Sequence, residues 1–368
     1  MINPFFGAAL LVLCLPGVSP AQVAASTETA AIAASSSTAA VPPPQHGVHI
    51  SGWGAGSVKT RRRLIGDIKA AGLNTVVIAL KEYDGIMFVP GVPLAKEIGS
   101  YARAIPDLPG MVKEFHDAGL YTVGRIALFK DDTLARRKPE LAVHRPDGSL
   151  WLDKKCAWAD PYRKEVWQYN IDIASRAVAA GFDEIQFDYI RFPADGDVKN
   201  CRYSKKDRSK QTDAADLVAF LDFARTTLKP MGAKLSIAIF GLTTTANDGM
   251  GIGQHLDAMG SQVDYVSPMM YPSHYHKGEY GIPDPNRDPY KTIHLGLREA
   301  SDKLGGEIWR LRPYLQDFSL FGVHYGPDKV KAQILAAQRM GVNSWILWNP
   351  QNRYTWSAIP KEEKNETH

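Results

Sequence analysis

Cysteine is scarce: the 368 residues hold three, Cys14, Cys156 and Cys201. With Cys14 inside an N-terminal segment expected to be removed, at most one bridge is left, Cys156 to Cys201, and that bridge is possible rather than required. Excess charge is missing too. Lys and Arg number 43 against 39 Asp and Glu, a net charge of +4, so the chain is not a basic nucleic-acid binder. Long apolar runs are also absent. The longest, Phe5, Phe6 and Ala8 to Leu15, is too short to span a bilayer and is followed by small residues. Residues 1–25 therefore read as a secretory signal, cleaved near Ala21 or Ala25. The expected location is periplasmic or secreted, with no membrane insertion after cleavage. Residues 26–46 are Ala, Ser, Thr and Pro with almost no charge, too polar and small to offset ordering entropy, and are expected to be a disordered linker. Residues 361–368 form a polar tail.

Two motifs are missing from the region that follows. Gly52-Trp53-Gly54-Ala55-Gly56 lacks the spacing, helix and acidic residue of a dinucleotide loop, and His49-Ile50-Ser51 lacks the His-x-His of a barrel metallohydrolase. His274 and His276 flank Tyr275 without a third ligand nearby. No cofactor and no metal are expected.

From Gly47 to about residue 360 short apolar runs alternate with amphipathic segments, without a break in composition. The candidate strands are Gly47–Ser51, Thr75–Lys81, Tyr121–Leu128, Glu184–Tyr189, Lys234–Phe240, Tyr265–Met270, Arg310–Gln316 and Ser344–Trp348. Helices are expected near 60–71, 108–118, 161–180, 212–228, 252–259, 290–304 and 327–340. Eight strands alternating with helices predict an α/β fold, a single (β/α)8 TIM barrel over residues 47–360, in preference to a doubly wound open sheet. With Asp188 facing inward, Ile185 and Phe187 face the helices, as do Ile126, Leu128, Ile237 and Ile239. The inward set is then unusually polar: His49, Ser51, Lys81, Arg125, Gln186, Asp188, Ser236, Ser267, Tyr271, Arg312, Tyr314 and Gln316, with Trp348 at the last strand end. Barrel interiors are normally apolar, so this pattern points to a site for a polar ligand or to a structural hydrogen-bonded network.

The run Gly181-Phe182-Asp183-Glu184-Ile185-Gln186-Phe187-Asp188-Tyr189-Ile190-Arg191-Phe192-Pro193, with Trp158-Ala159-Asp160-Pro161-Tyr162 before it, resembles bacterial glycoside hydrolase domains first catalogued as a domain of unknown function. The likeness continues through Lys81-Glu82-Tyr83-Asp84-Gly85, Phe129-Lys130-Asp131, Met269-Met270-Tyr271-Pro272 and Leu315-Gln316-Asp317-Phe318. It implies a TIM barrel that hydrolyses glycosidic bonds. A more distant similarity to family 18 chitinases aligns Asp183 and Asp188 with two of that family's acids, but Gln186 replaces a third and Ile190 stands at the catalytic Glu. The amylase-type arrangement fails likewise, with Gln186 at its Arg position and no acid in Phe240-Gly241-Leu242-Thr243.

A glycosidase usually needs one carboxylate as nucleophile or base and a second group as acid. Asp188 is the first, and inward Lys81, Arg125 or Arg312 would suit that role. For the second, Asp317 ranks before Glu82 and Asp131, although strict alternation turns Asp317 and Glu82 outward; Glu184 lies deeper and is expected to be structural. Tyr271 could support charge at the sugar ring. Trp53, Trp151, Trp158, Trp348 and Trp356 are candidate sugar platforms, and Trp345 is expected in the core. Gln186 and Gln316 complete the binding set. The basic loop 199–210 fits either an acidic polysaccharide or a solvated surface. The reading is an exported glycoside hydrolase acting on a bacterial envelope or extracellular polysaccharide; the alternative is a non-catalytic carbohydrate-binding TIM barrel.

Overall fold

Parallel pairing carries eight strands around a complete ring in the computed structural model, which describes residues 41–360. The expected signal (1–25), most of the linker and the tail 361–368 lie outside the described residues. The strands are β1 (His46–Ile50), β2 (Thr75–Lys81), β3 (Tyr121–Ala127), β4 (Glu184–Asp188), β5 (Lys234–Phe240), β6 (Tyr265–Met270), β7 (Tyr314–Gln316) and β8 (Trp345–Trp348). β1 pairs with both β2 and β8, which closes the barrel and leaves no free edge. This is the expected (β/α)8 arrangement. β7 is shorter than its sequence suggests, because a 3-10 turn at Ile308–Arg310 precedes it. Six of the seven expected helices form, the one expected near 252–259 is reduced to Leu256–Gly260, and short helices at Gly52–Gly56, Pro93–Ile98 and Asp132–Arg137 are additional. Five or six residues hold too few turns to leave an amphipathic signature.

The apolar side chains sort into two shells. Ile126, Leu128, Ile185, Phe187, Ile237 and Ile239 are fully buried in the large cluster between strands and helices, as alternation predicts. Trp345 joins them. Inside the barrel a smaller cluster holds Val77, Val123, Ala238, Tyr271, Tyr314 and Ile346.

Polar side chains fill the rest of the interior in stacked layers. At the strands' N-terminal end Arg312 makes a buried ion pair with Glu184 and donates to Gln45, while Ser236 donates to Glu184. Above it, Gln186 donates to Ser236 (3.3 Å) and Ser267 (3.2 Å) and accepts from the Tyr314 hydroxyl (2.5 Å). Both residues were expected to bind substrate. The structure corrects this: Arg312 lies at the barrel floor, its two terminal nitrogens held by Glu184 and Gln45, and Gln186 lies in the middle, held by Ser236, Ser267 and Tyr314.

Lys81 requires a further correction, with a clear cause. β2 pairs in register with β3 as far as Ala79 opposite Arg125, and then Lys81 stands opposite Ile126, so an extra residue has entered β2. Such a bulge reverses the facing of everything after it. Lys81 therefore points into the helix layer, fully buried, with its ammonium 2.7 Å from Asp131 Oδ2 and 2.8 Å from Asn170 Oδ1. Asp131 also accepts from the Leu134 amide (2.9 Å) as a helix cap, so it too is structural. Breaking a buried pair strands the remaining charge. Lys81→Met should lower the unfolding free energy by about 3–5 kcal/mol in urea denaturation, with Lys81→Met/Asp131→Leu recovering part of the loss. A raised KM without loss of stability would restore the substrate-binding role.

The two described cysteines are free thiols, so the possible bridge does not form. Burial pushes both thiols up to about 11, which leaves them poor nucleophiles.

Candidate active site

Asp188 ends β4 at the barrel's C-terminal face, where catalytic groups of this fold are built. It is 3% exposed. Arg125, inward on β3, donates from Nε (2.9 Å) and Nη2 (2.5 Å) to its Oδ2, and the Tyr189 amide donates to its Oδ1 (2.6 Å). Tyr189 holds φ at +50°, a left-handed conformation that costs about 1–3 kcal/mol for a side chain of this size. That turn ends the strand and aims the amide back at the carboxylate.

The bulge that removes Lys81 from the interior delivers Glu82 to it. Arg125 Nη1 lies 3.4 Å from Glu82 Oε2, so one guanidinium bridges two carboxylates. His49, on β1, is buried nearby with neither ring nitrogen hydrogen-bonded. Burial and then the Arg125 charge push its pKa below the ordinary histidine value, so the imidazole is neutral.

Tyr271, just past β6, stacks on Trp348 (5.4 Å between ring centroids) and meets Phe318 and His274 edge-on. Its hydroxyl has no hydrogen-bond partner among the described residues. Burial raises its pKa well above the ordinary phenol value, and Tyr314 and Asp188 raise it further. Three of the rings around Tyr271, Trp348, Phe318 and His274, line an open cleft of about 630 Å³ whose walls also include Asn349, Arg353 and Asp317.

Asp317 follows β7 and reaches the cleft because the chain leaves strand geometry there. Thr355 donates to both of its oxygens, from the amide to Oδ2 and from the hydroxyl to Oδ1, each at 2.7 Å. Burial raises its pKa above the ordinary 3.8 despite those donors. The preceding Gln316 is not available for a ligand: its amide oxygen accepts from Ser273 N (3.1 Å) and its amide nitrogen donates to the Phe318 carbonyl (2.8 Å), fixing two site loops.

Of the tryptophans, Trp53 is 58% exposed, edge-on to Phe88, and Trp348 lines the cleft. Trp151 and Trp158 are fully buried, which corrects their expected place on the rim, and Trp356 packs against the core. Sequence reasoning placed His49 inward without giving it a role, and passed over Tyr189 and Thr355 as site neighbours. Position relative to Asp188 could have found Tyr189; no local signal marks Thr355, which arrives from the far end of the chain.

The arrangement provides a clamped carboxylate, a second carboxyl of raised pKa, a free phenol and an aromatic cleft. Among the described residues no group of three or more His, Cys, Asp or Glu is placed to hold a metal ion. No described helix is long and apolar enough to cross a membrane.

The family model described as "Putative glycosyl hydrolase domain" matches residues 47–354. A hypothetical protein from Ruminiclostridium thermocellum ATCC 27405 is 34% identical, with 52% of this chain and 96% of that one covered and a TM-score of 0.47. The PgaB (BpsB) glycoside hydrolase domain from Bordetella bronchiseptica is 12% identical, covers 87% of this chain and 100% of its own, and gives a TM-score of 0.63. A class V chitinase from Pseudomonas fluorescens Pf-5 is also 12% identical, with 86% and 98% covered and a TM-score of 0.52. At such identities the last two show a shared fold. A search of curated proteins finds no match.

Proposed function

Because this chain belongs to the family described as "Putative glycosyl hydrolase domain", we propose that it is an exported glycoside hydrolase acting on a bacterial envelope or extracellular polysaccharide, with Asp188 as nucleophile or base. The observation that carries this reading is the Arg125 clamp on Asp188 at the C-terminal end of β4, with a cleft nearby in the fold that holds Asp317 and Trp348. A carboxylate fixed through both oxygens is oriented for one attack direction, which reduces the reorganisation needed in the transition state. Asp317 is the acid. Its raised pKa suits a carboxyl that must carry a proton to the leaving oxygen. Glu82 is the second choice, because it shares Arg125 with Asp188 and so lies on the same side of the site.

In the retaining form of this chemistry an Asp188 oxygen bonds to the anomeric carbon as the glycosidic bond breaks, and the Asp317 proton moves to the departing oxygen. Water then attacks the anomeric carbon, returning its proton to Asp317 and freeing Asp188. In the inverting form Asp188 takes a proton from the attacking water instead. Tyr271 can direct its unpartnered oxygen at the positive charge that develops on the ring, and Trp348 offers a flat face to a sugar.

Release of reducing ends from a panel of bacterial polysaccharides tests the proposal. Turnover on at least one polymer is expected. Binding without turnover on every polymer would favour the non-catalytic barrel.

A further inference from the structure

The basic loop 199–210 does not present its charges as one anion-binding surface. Lys205 pairs with Asp216 (2.5 Å), Arg208 with Asp213, and Lys210 with Asp248 (3.0 Å), while Arg202 donates to the carbonyls of Lys199 and Cys201. Three of the loop's six cations are thus matched by a carboxylate. A cation without such a match lies three residues after Asp188.

Arg191 is 4% exposed, and its guanidinium makes one hydrogen bond, from Nη1 to the Phe192 carbonyl (3.0 Å). Among the described residues no carboxylate stands within ion-pairing distance of it. The nearest acids are engaged elsewhere or in solvent: Asp188 pairs with Arg125, Asp153 with Lys130 (2.9 Å), and Asp195 is exposed. Rings enclose the guanidinium instead, with Phe240 at 4.5 Å, Trp158 at 4.9 Å and Tyr189 at 5.3 Å. The Lys130 ammonium approaches the same Trp158 and Tyr189 rings, 5.7 Å from each.

Aromatic faces attract a cation, yet they offer no acceptors to the N–H groups that remain. A buried guanidinium without a counter-charge is an unfavourable arrangement, and burial lowers its pKa accordingly. Its planar fork of donors matches a carboxylate through two parallel hydrogen bonds. We propose that Arg191 forms a subsite for a carboxylate carried on a sugar near the scissile bond, so that the substrate is an acidic polysaccharide. The subsite rests on the reading of Asp188 as the reacting group only for its place next to the scissile bond; the charge argument stands without it.

Affinity rather than turnover separates the two claims. Binding is measured for oligosaccharides that bear hexuronate or lactyl-ether carboxylates and for the same oligosaccharides with the carboxyls reduced to primary alcohols. The unsubstituted protein should bind at least one acidic form about tenfold to a hundredfold more tightly than its reduced form. That ratio should fall to about one in Arg191→Gln and be partly kept in Arg191→Lys. Equal affinity for acidic and reduced forms in the unsubstituted protein overturns the proposal without any variant, which matters if Arg191→Gln fails to fold. A ratio that survives in a folded Arg191→Gln, or no binding to any acidic form, overturns it as well. Should the protein bind acidic sugars by this measure yet hydrolyse none, the hydrolase reading fails and the subsite stands.

Discussion

Asp188→Asn should lower kcat on a responsive polysaccharide by about 10²–10⁴, the range expected when a positioned acid–base or nucleophilic group is removed. Asparagine keeps the shape and one acceptor for Arg125, so the barrel should remain folded while the charge is lost. Circular dichroism and a thermal melt separate the two effects. The Arg125 guanidinium would then have only Glu82 as an ionic partner, at 3.4 Å, and a fall in stability of about 3–5 kcal/mol is the upper bound for a broken buried pair. Activity loss with a melt close to that of the unsubstituted protein assigns Asp188 to the chemistry. Equal reducing-end release by both proteins removes the assignment.

Asp317→Asn should show a different signature. An acid must be protonated to act, so activity that depends on Asp317 declines as pH rises through a pKa that burial has raised above the ordinary 3.8. The alkaline limb of kcat/KM should therefore belong to Asp317 and disappear in the variant. On the polysaccharide kcat should fall by about 10²–10⁴. On an aryl glycoside of the same sugar, whose leaving group needs no proton, the loss should be far smaller. Equal losses on both substrates would shift the acid role to Glu82, and Glu82→Gln would then show the pattern.

The barrel was legible because its signal is repeated: eight apolar runs with turn residues between them leave few alternatives, and alternation on β3, β4 and β5 separated the inner from the outer shell correctly. Legibility failed where one local event changed the rule. The extra residue in β2 exchanged the facings of Lys81 and Glu82, and no residue type between Ala79 and Lys81 announces it. Arg312 and Gln186 face inward as alternation requires, but an inward facing does not give depth along the strand, and depth decides between a sealed network and a ligand site. Trp151 and Trp158 lie in loops by sequence, yet those loops fold back and bury them. Arg191 sits in the most recognisable stretch of the chain, and only the position of every nearby carboxylate reveals that none is joined to it.

The irregularity in β2 makes the reactive end of the barrel a matter of parity. One inserted residue places an acid beside Arg125 and a base beneath the helices, and both placements depend on that residue alone. A further single insertion or deletion between Val77 and Glu82 would invert both at once, driving an ammonium toward the Arg125 guanidinium and an unpaired carboxylate among apolar side chains. A change of two residues would keep the facings. Length variation among relatives in this segment should therefore come in even steps, while the side chains themselves are free to change.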